Sequence, residues 1–302
     1  MSRLRHAVIA SSLGVALFTA GPAGSPAAVP EQTTRTVYVT VVDSQGQPVT
    51  ELTPADFRLR ENNRDQTITS VEPATGPMRI ALMLEETLTP AGAVRQGLFE
   101  LIKVLQGKAE MSLVVVGLAN RTAVPYTTDV NALVAGLNEL PLSQRQQTAH
   151  VPEGIGEMAR AFQKERSARP VMVMIALNLQ QVSNEQPQSI LNELRDSNAQ
   201  LHVVSIEAPG ASDVGGTGAM MDAAGRAQVL GDGPRQSGGR QWPVSALTAV
   251  PKSMLSIAND LANQYKITYT LPAGTKPADR LNVTTSRRGV TLRAPTRIWN
   301  GQ

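Results

Sequence analysis

The feature that most constrains the fold is a series of short, continuous apolar runs separated by segments with helical spacing. The runs cover residues 79–84, 111–117, 171–177 and 201–206. Runs of this length are typical of strands covered on both faces of a sheet. Between the first two runs, apolar residues recur at helical spacing at Val94, Leu98, Leu101, Ile102 and Leu105. The alternation predicts an α/β fold, a mostly parallel sheet with helices on both faces.

Weaker segments complete this predicted domain, which we assign to residues 78–264. Residues 123–126 contain a proline and predict a short edge strand, where proline is tolerated. Residues 238–242 predict a short sixth strand. Residues 208–239 are rich in glycine, alanine and serine and predict a long mobile loop, with a helix possible only over 220–230.

The segments on either side of this domain have the two-residue alternation of strands. Residues 36–75 predict an N-terminal β module with strands over 36–42, 57–60 and 68–71, the last returning from a hairpin. Residues 265–302 predict further strands, with 281–283 and 290–292 flanking Arg287-Arg288-Gly289 as a closing hairpin. Because isolated hairpins are marginally stable, we expect the two segments to join in one β module.

The first 28 residues have the parts of a secretory signal peptide. Arg3 and Arg5 precede an apolar stretch over 7–20, and small residues fill 21–28. The apolar stretch is too short to cross a bilayer core of ~30 Å, and no later segment is longer. We therefore predict export to the periplasm or outside, with no transmembrane segment after cleavage; an uncleaved interfacial anchor is the alternative.

Composition excludes several classes of function. The chain has no cysteine, which excludes disulfides, cysteine nucleophiles and thiolate metal sites. Its net charge is +3, and removal of Arg3 and Arg5 with the leader leaves 26 basic and 25 acidic residues, or +1. With only 3% aromatic residues as well, we expect no nucleic-acid partner.

Two segments resemble a known family. Residues 46–62, which read GQPVTELTPADFRLREN, are similar to the β segment that precedes the α/β domain in von Willebrand factor A-related domains of secreted acidobacterial proteins. Gly238-Gly239-Arg240, followed by a helix and by the strand at 265–269, is similar to that family's closing segment. The resemblance spans roughly residues 36–295 and implies a von Willebrand A-like (Rossmann-like) sheet with the strand order 3-2-1-4-5-6.

The resemblance also implies a place for a divalent cation at the carboxyl ends of the strands. The family's Asp-x-Ser-x-Ser motif matches Glu85, Thr87 and Thr89, and its loop threonine matches Thr148. After the fourth strand, where the family has an aspartate, this chain has Leu177-Asn178. Since Mg²⁺ and Ca²⁺ need several hard oxygen ligands, we predict a degenerate site and no cofactor, with weak Mg²⁺ or Ca²⁺ binding as the alternative.

The other chemical groups give little support for catalysis. Adjacent Glu85 and Glu86 are expected to point apart, and His202 is expected to be a hydrogen-bonded residue inside a strand. His150 is expected at the rim of the site, but no serine and acid at a recognisable spacing indicate a triad. We predict a protein that is not an enzyme, and hydrolase is the least favoured class.

The favoured function is an exported, adhesion-like interaction module that presents its strand-end rim and residues 208–239 to a protein partner. The alternative is a structural component of a cell-envelope assembly that uses the strand edges. The C-terminal tail is basic and predicts solubilising charge on an edge hairpin, with contact with an anionic envelope surface as the alternative. Its charged residues are Lys276, Arg280, Arg287, Arg288, Arg293 and Arg297, opposed by Asp279.

Overall fold

The computed structural model describes residues 33–88, 92–140, 149–178, 185–207 and 217–299. The strands are β1 Thr33–Asp43, β2 Phe57–Glu61, β3 Arg64–Asp65, β4 Thr67–Pro73, β5 Met78–Glu85, β6 Ala109–Val116, β7 Asn120–Thr127, β8 Pro170–Asn178, β9 Gln200–Glu207, β10 Gln241–Val244, β11 Tyr265–Leu271, β12 Leu281–Thr285 and β13 Val290–Arg293. The helices are α1 Gly92–Leu105, α2 Val130–Glu139, α3 Val151–Glu165, α4 Pro187–Asp196, α5 Thr217–Ser237 and α6 Val250–Ala262.

The central sheet has six strands in the order β10-β9-β8-β5-β6-β7. Every neighbouring pair is parallel except β6 with β7, which forms the antiparallel edge. Counted from β5 as the first strand, this is the order 3-2-1-4-5-6 that the resemblance implies. The predicted fold class is confirmed, and the proline-containing edge strand and the short sixth strand are both present as β7 and β10.

The apolar runs are buried on both faces of this sheet, as their composition predicts. Along β5, Ile80, Leu82 and Leu84 pack with α1, α2 and α6, whereas Ala81 and Met83 pack with α3, α4 and α5. The alternation follows from the two-residue period of a strand. It assigns the side chain of Glu85, the last residue of β5, to the same face as Ala81 and Met83.

The segments before and after the α/β domain share two smaller sheets. One has the order β13-β1-β11-β4 and the other the order β12-β2-β3. The long strand β1 pairs with β11 through residues 33–39 and with β13 through residues 40–43, both antiparallel. The terminal segments therefore join as expected. Their shared core includes Val39, Leu59, Ile267 and Tyr269.

Two of the predicted hairpins are wrong. Strands β12 and β13 do not pair with each other, because β12 lies beside β2 and β13 lies beside β1 in a different sheet. Strand β4 pairs with β11, and the strand that returns to β2 is the two-residue β3. Strands β4, β12 and β13 each pair with a strand that is distant in the chain, which local alternation does not predict.

The predicted long loop is also wrong over its second half, where helix α5 runs for 21 residues. The helix forms despite its glycines and Pro234 because its buried side chains, Val229 and Leu230, join the core on the face of α3 and α4. Gly233 lets the helix approach closely, since a Cβ there would be 3.0 Å from Leu201 Cδ2. Such tertiary packing outweighs weak helix propensity. Residues 208–216 lie outside the described residues.

The prediction of export concerns a part of the chain that the structure does not describe. The predicted signal peptide, residues 1–28, lies outside the described residues. Within the described ranges, every helix is too short or too polar to span a bilayer.

Candidate functional site

The candidate site lies at the carboxyl ends of the parallel strands, where β5 and β8 are neighbours. Glu85 is the last residue of β5, and its side chain is fully buried. Leu177 stands near the end of β8 and contributes its backbone groups. Side chains and backbone at this edge converge because parallel strands end together, which is why ligands of open α/β sheets bind there.

Both carboxylate oxygens of Glu85 accept hydrogen bonds from within the protein. The hydroxyl of Thr87 donates to Oε1 over 2.8 Å. The backbone N–H of Leu177 donates to Oε2 over 2.8 Å, and Nη2 of Arg226 lies 3.3 Å from the same oxygen. A carboxylate is an acceptor only, so these donors match its chemistry.

Arg226 reaches this carboxylate from the middle of α5. Its side chain is 3% exposed, and Nη2 also donates to the carbonyl oxygen of Leu177 over 2.5 Å. Burial lowers the pKa of the Arg226 guanidinium, while the negative charges of Glu85 and Glu153 act in the opposite direction. Arginine stays protonated in proteins, so the pair is a buried ion pair that ties α5 to β5 and β8.

The described residues do not fit a divalent cation at this place. Within the described ranges, no three His, Cys, Asp or Glu side chains come together as a metal-binding group. The lone pairs of the Glu85 carboxylate are directed at N–H and O–H donors and at the guanidinium of Arg226. Mg²⁺ or Ca²⁺ would need those lone pairs as ligands, and the positive charge of Arg226 would repel it. Of the other candidates, Thr87 lies beside Glu85, and Thr89 and Thr148 lie outside the described residues.

Glu86 points away from Glu85, as expected of neighbouring residues at a strand end. Its Oε2 lies over Gly117, where an added Cβ would be only 2.4 Å away. Its backbone N–H donates to the carbonyl of Val116 over 2.8 Å, which continues the pairing of β5 with β6. The two carboxylates therefore do not form an acid/base pair.

His150 and Leu118 lie on the same edge of the sheet. His150 precedes α3, and its backbone N–H donates to the carbonyl of Gly117 over 2.8 Å. This bond joins the start of α3 to the turn between β6 and β7. Leu118, at that turn, is 66% exposed. The sequence patterns gave no indication of this exposed apolar residue.

His202 lies away from this edge, near the amino end of β9. It is 1% exposed, and neither ring nitrogen has a hydrogen-bond partner among the described residues. The expectation of a hydrogen-bonded strand residue is therefore wrong. Burial, with a smaller effect of the positive charge of Arg293, lowers the pKa of His202 to about 3.

Three of the six basic residues in the C-terminal tail pair with acidic side chains of the protein itself. Arg287 pairs with Asp56 over 3.0 Å, Arg293 pairs with Asp260 over 2.5 Å, and Arg297 pairs with Asp279. Asp279 is the only acidic residue within the tail, and folding brings Asp56 and Asp260 to it from elsewhere in the chain. The tail is also not an edge hairpin, since β12 and β13 lie in different sheets.

Comparison with known proteins gives likenesses of fold only. No protein-family model matches the chain, and no curated protein matches it. Similar solved structures include an aerotolerance-related membrane protein from Bacteroides fragilis, at 16% identity and TM-score 0.42, covering 60% of this chain and 98% of that one. Another is a von Willebrand factor type A protein from Catenulispora acidiphila, at 10% identity and TM-score 0.46, covering 90% and 74%. A third is manganese-loaded TRAP protein from Plasmodium vivax, at 10% identity and TM-score 0.46, covering 76% and 97%.

Proposed function

We propose that this chain is a protein-interaction module with a von Willebrand A-like fold whose strand-end rim binds a partner without a divalent cation. The observation that carries the proposal is the internal use of Glu85. Its two oxygens accept from Thr87, Leu177 and Arg226, so the carboxylate is not directed at a metal ion or at solvent. A partner would therefore contact the rim directly, through side chains and backbone.

The chemistry of the rim favours binding over catalysis. Catalysis by a nucleophile needs a hydroxyl or thiol within hydrogen-bond reach of a base that a third group orients. In the described part of the rim, the hydroxyl of Thr87 does lie within hydrogen-bond reach of Glu85. That carboxylate is fully buried, however, and its other oxygen is held by the N–H of Leu177 and by Arg226, so a substrate cannot reach it. That arrangement fixes the local structure and offers no exposed base.

The surface that we propose for the partner centres on Leu118. Its exposed side chain supplies apolar area at the tip of the turn between β6 and β7, with half-buried Glu86 and His150 close to the same turn. Apolar anchors surrounded by polar groups are the usual composition of a protein interface. Export through residues 1–28 would place this surface in the periplasm or outside the cell, where the partner would be found.

The proposal is tested by capturing partners from the native envelope with the purified chain and measuring the amount bound. Leu118→Asp is expected to reduce capture about tenfold or more, as loss of an interface anchor does. The matched control is Leu255→Asp on α6, another exposed leucine, which should leave capture unchanged. Capture should also persist in a chelator.

Two results would contradict the proposal. If capture is lost in the chelator, the partner is bound through a metal ion. If the Leu118 and Leu255 variants capture the partner equally well and substitutions on a sheet edge abolish capture, the chain serves as a structural component of an envelope assembly.

A further inference from the structure

We infer that the guanidinium of Arg226 occupies the place of the divalent cation, so that helix α5 supplies the strand-end site with a permanent internal counter-ion. The niche around Nη2 is lined by oxygen atoms. Oε2 of Glu85 lies 3.3 Å away, and the carbonyl oxygen of Leu177 lies 2.5 Å away. Glu153, in the first turn of α3, adds a second negative charge nearby.

The charges explain why the niche must hold a cation. Glu85 is fully buried at the end of β5, and a buried carboxylate is strongly unfavourable unless a positive charge or several donors compensate it. The Thr87 hydroxyl and the Leu177 N–H supply two neutral donors. Arg226 supplies the positive charge, and a guanidinium is weakly hydrated and therefore suited to a buried ion pair.

A tethered cation differs from a bound ion in two ways. It cannot dissociate, so the state of the site is independent of Mg²⁺ or Ca²⁺ concentration. It is also only 3% exposed, so a carboxylate of a partner cannot reach it as a ligand. The pair instead fixes α5 against β5 and β8, which agrees with the formation of a helix where the composition predicts a loop.

A divalent ion would not replace the arginine of a structural ion pair elsewhere in the chain, whereas it should replace Arg226 at this site. Removal of the Arg226 side chain would leave the Glu85 carboxylate, the Thr87 hydroxyl and the Leu177 carbonyl around an empty niche. These are hard oxygen donors of the kind that Mg²⁺ and Mn²⁺ prefer. A divalent ion should therefore restore what the substitution removes.

The test compares thermal unfolding of the full chain with and without millimolar Mn²⁺. The midpoint of the wild type should not change, whereas that of Arg226→Ala should fall by about 10 °C and recover substantially on addition of Mn²⁺. Glu85→Gln combined with Arg226→Ala should not respond to Mn²⁺. Arg169→Ala is the matched control, because it removes another buried arginine whose partners are carbonyl and amide oxygens, and Mn²⁺ should not rescue it.

A folded Arg226→Ala protein that ignores Mn²⁺, or a wild type stabilised by Mn²⁺, would overturn the inference. If Arg226→Ala does not fold alone, its folding on addition of Mn²⁺ supports the inference. If it stays unfolded with Mn²⁺ as well, the test is the neutral double variant that combines Glu85→Gln with Arg226→Met. That double variant should be clearly more stable than Glu85→Gln alone, because it removes the buried cation together with the carboxylate that faces it. Equal or lower stability of the double variant would overturn the inference. Since the readout is stability of the isolated chain, this test is independent of the proposed partner binding.

Discussion

Arg169, just before β8, donates through Nη2 to Oε1 of Gln264 over 2.7 Å. The same guanidinium donates to the backbone carbonyls of Ala74, Gly76 and Leu261, each over 3.1 Å. These partners lie before β5, at the end of α6 and before β11. One buried side chain thus joins the amino edge of the parallel sheet to the terminal strands.

The first prediction follows from this relationship. Arg169→Met should lower the free energy of unfolding by about 3 kcal/mol, because three carbonyls lose their buried donor. Urea unfolding measures the loss. Arg121→Met, at an exposed position of β7, is the control and should change stability by less than about 0.5 kcal/mol. Equal losses in the two variants would show that the Arg169 network contributes nothing specific.

The second prediction concerns the buried pair at the carboxyl edge. Glu85→Gln should lower the free energy of unfolding by about 3–5 kcal/mol, because the buried Arg226 loses the carboxylate 3.3 Å from its guanidinium. The neighbouring Glu86→Gln has a partly exposed carboxylate and should cost much less. Urea unfolding of both variants decides the matter, and a larger loss in Glu86→Gln would contradict the assignment.

The third prediction concerns acid stability. The pKa of His202 is about 3 in the folded chain, against ~6.5 in an unfolded one, so the unfolded state binds more protons between these values. Stability is therefore retained above pH ~6.5 and lost as the pH falls towards 3, by up to about 5 kcal/mol from this residue. His202→Leu should lose less stability than the wild type between pH 6.5 and pH 4. His150→Leu should follow the wild type; parallel curves for all three proteins would refute the role of His202.

The fourth prediction concerns Gly238 and Gly239, which belong to the segment that is similar to the family's closing segment. Gly238 has φ +82°, in the left-handed region that favours glycine, and a Cβ on Gly239 would lie 1.9 Å from the carbonyl oxygen of Leu201. Gly239→Ala should therefore push β10 away from β9 and cost about 3 kcal/mol. Gly76→Ala has open space around its Cβ and should be close to neutral in thermal unfolding. A neutral Gly239→Ala would contradict the close approach.

The sequence predicted those parts of the fold that depend on local pattern. The apolar runs correspond to β5, β6, β8 and β9, and their order in the sheet is the predicted one. Helix α5 was missed because its formation depends on burial of Val229 and Leu230 against a distant core. The closing hairpin was predicted wrongly for a related reason, because β13 pairs with β1 and β12 pairs with β2, both distant in the chain.

Of the buried pair at the candidate site, the sequence predicted Glu85 but not Arg226. Glu85 was placed at the strand end from the resemblance, and its separation from Glu86 follows from strand geometry. Arg226 was missed because it lies 141 residues from Glu85, in a segment whose composition indicates a loop. A single buried charge produces no periodic pattern in the sequence. The only indication was that Arg226 is the one arginine within the possible helix at 220–230.

The central claim, that the strand-end rim works without a divalent cation, is tested most directly by calorimetric titration of Mg²⁺, Ca²⁺ and Mn²⁺ into the wild-type chain. We predict no binding heat at micromolar concentrations and no thermal stabilisation at millimolar ones, whereas saturation at 100 times Kd would add ~2.7 kcal/mol. Micromolar binding of any of the three ions that is lost in Thr148→Ala would contradict the claim and establish a metal-dependent adhesion site.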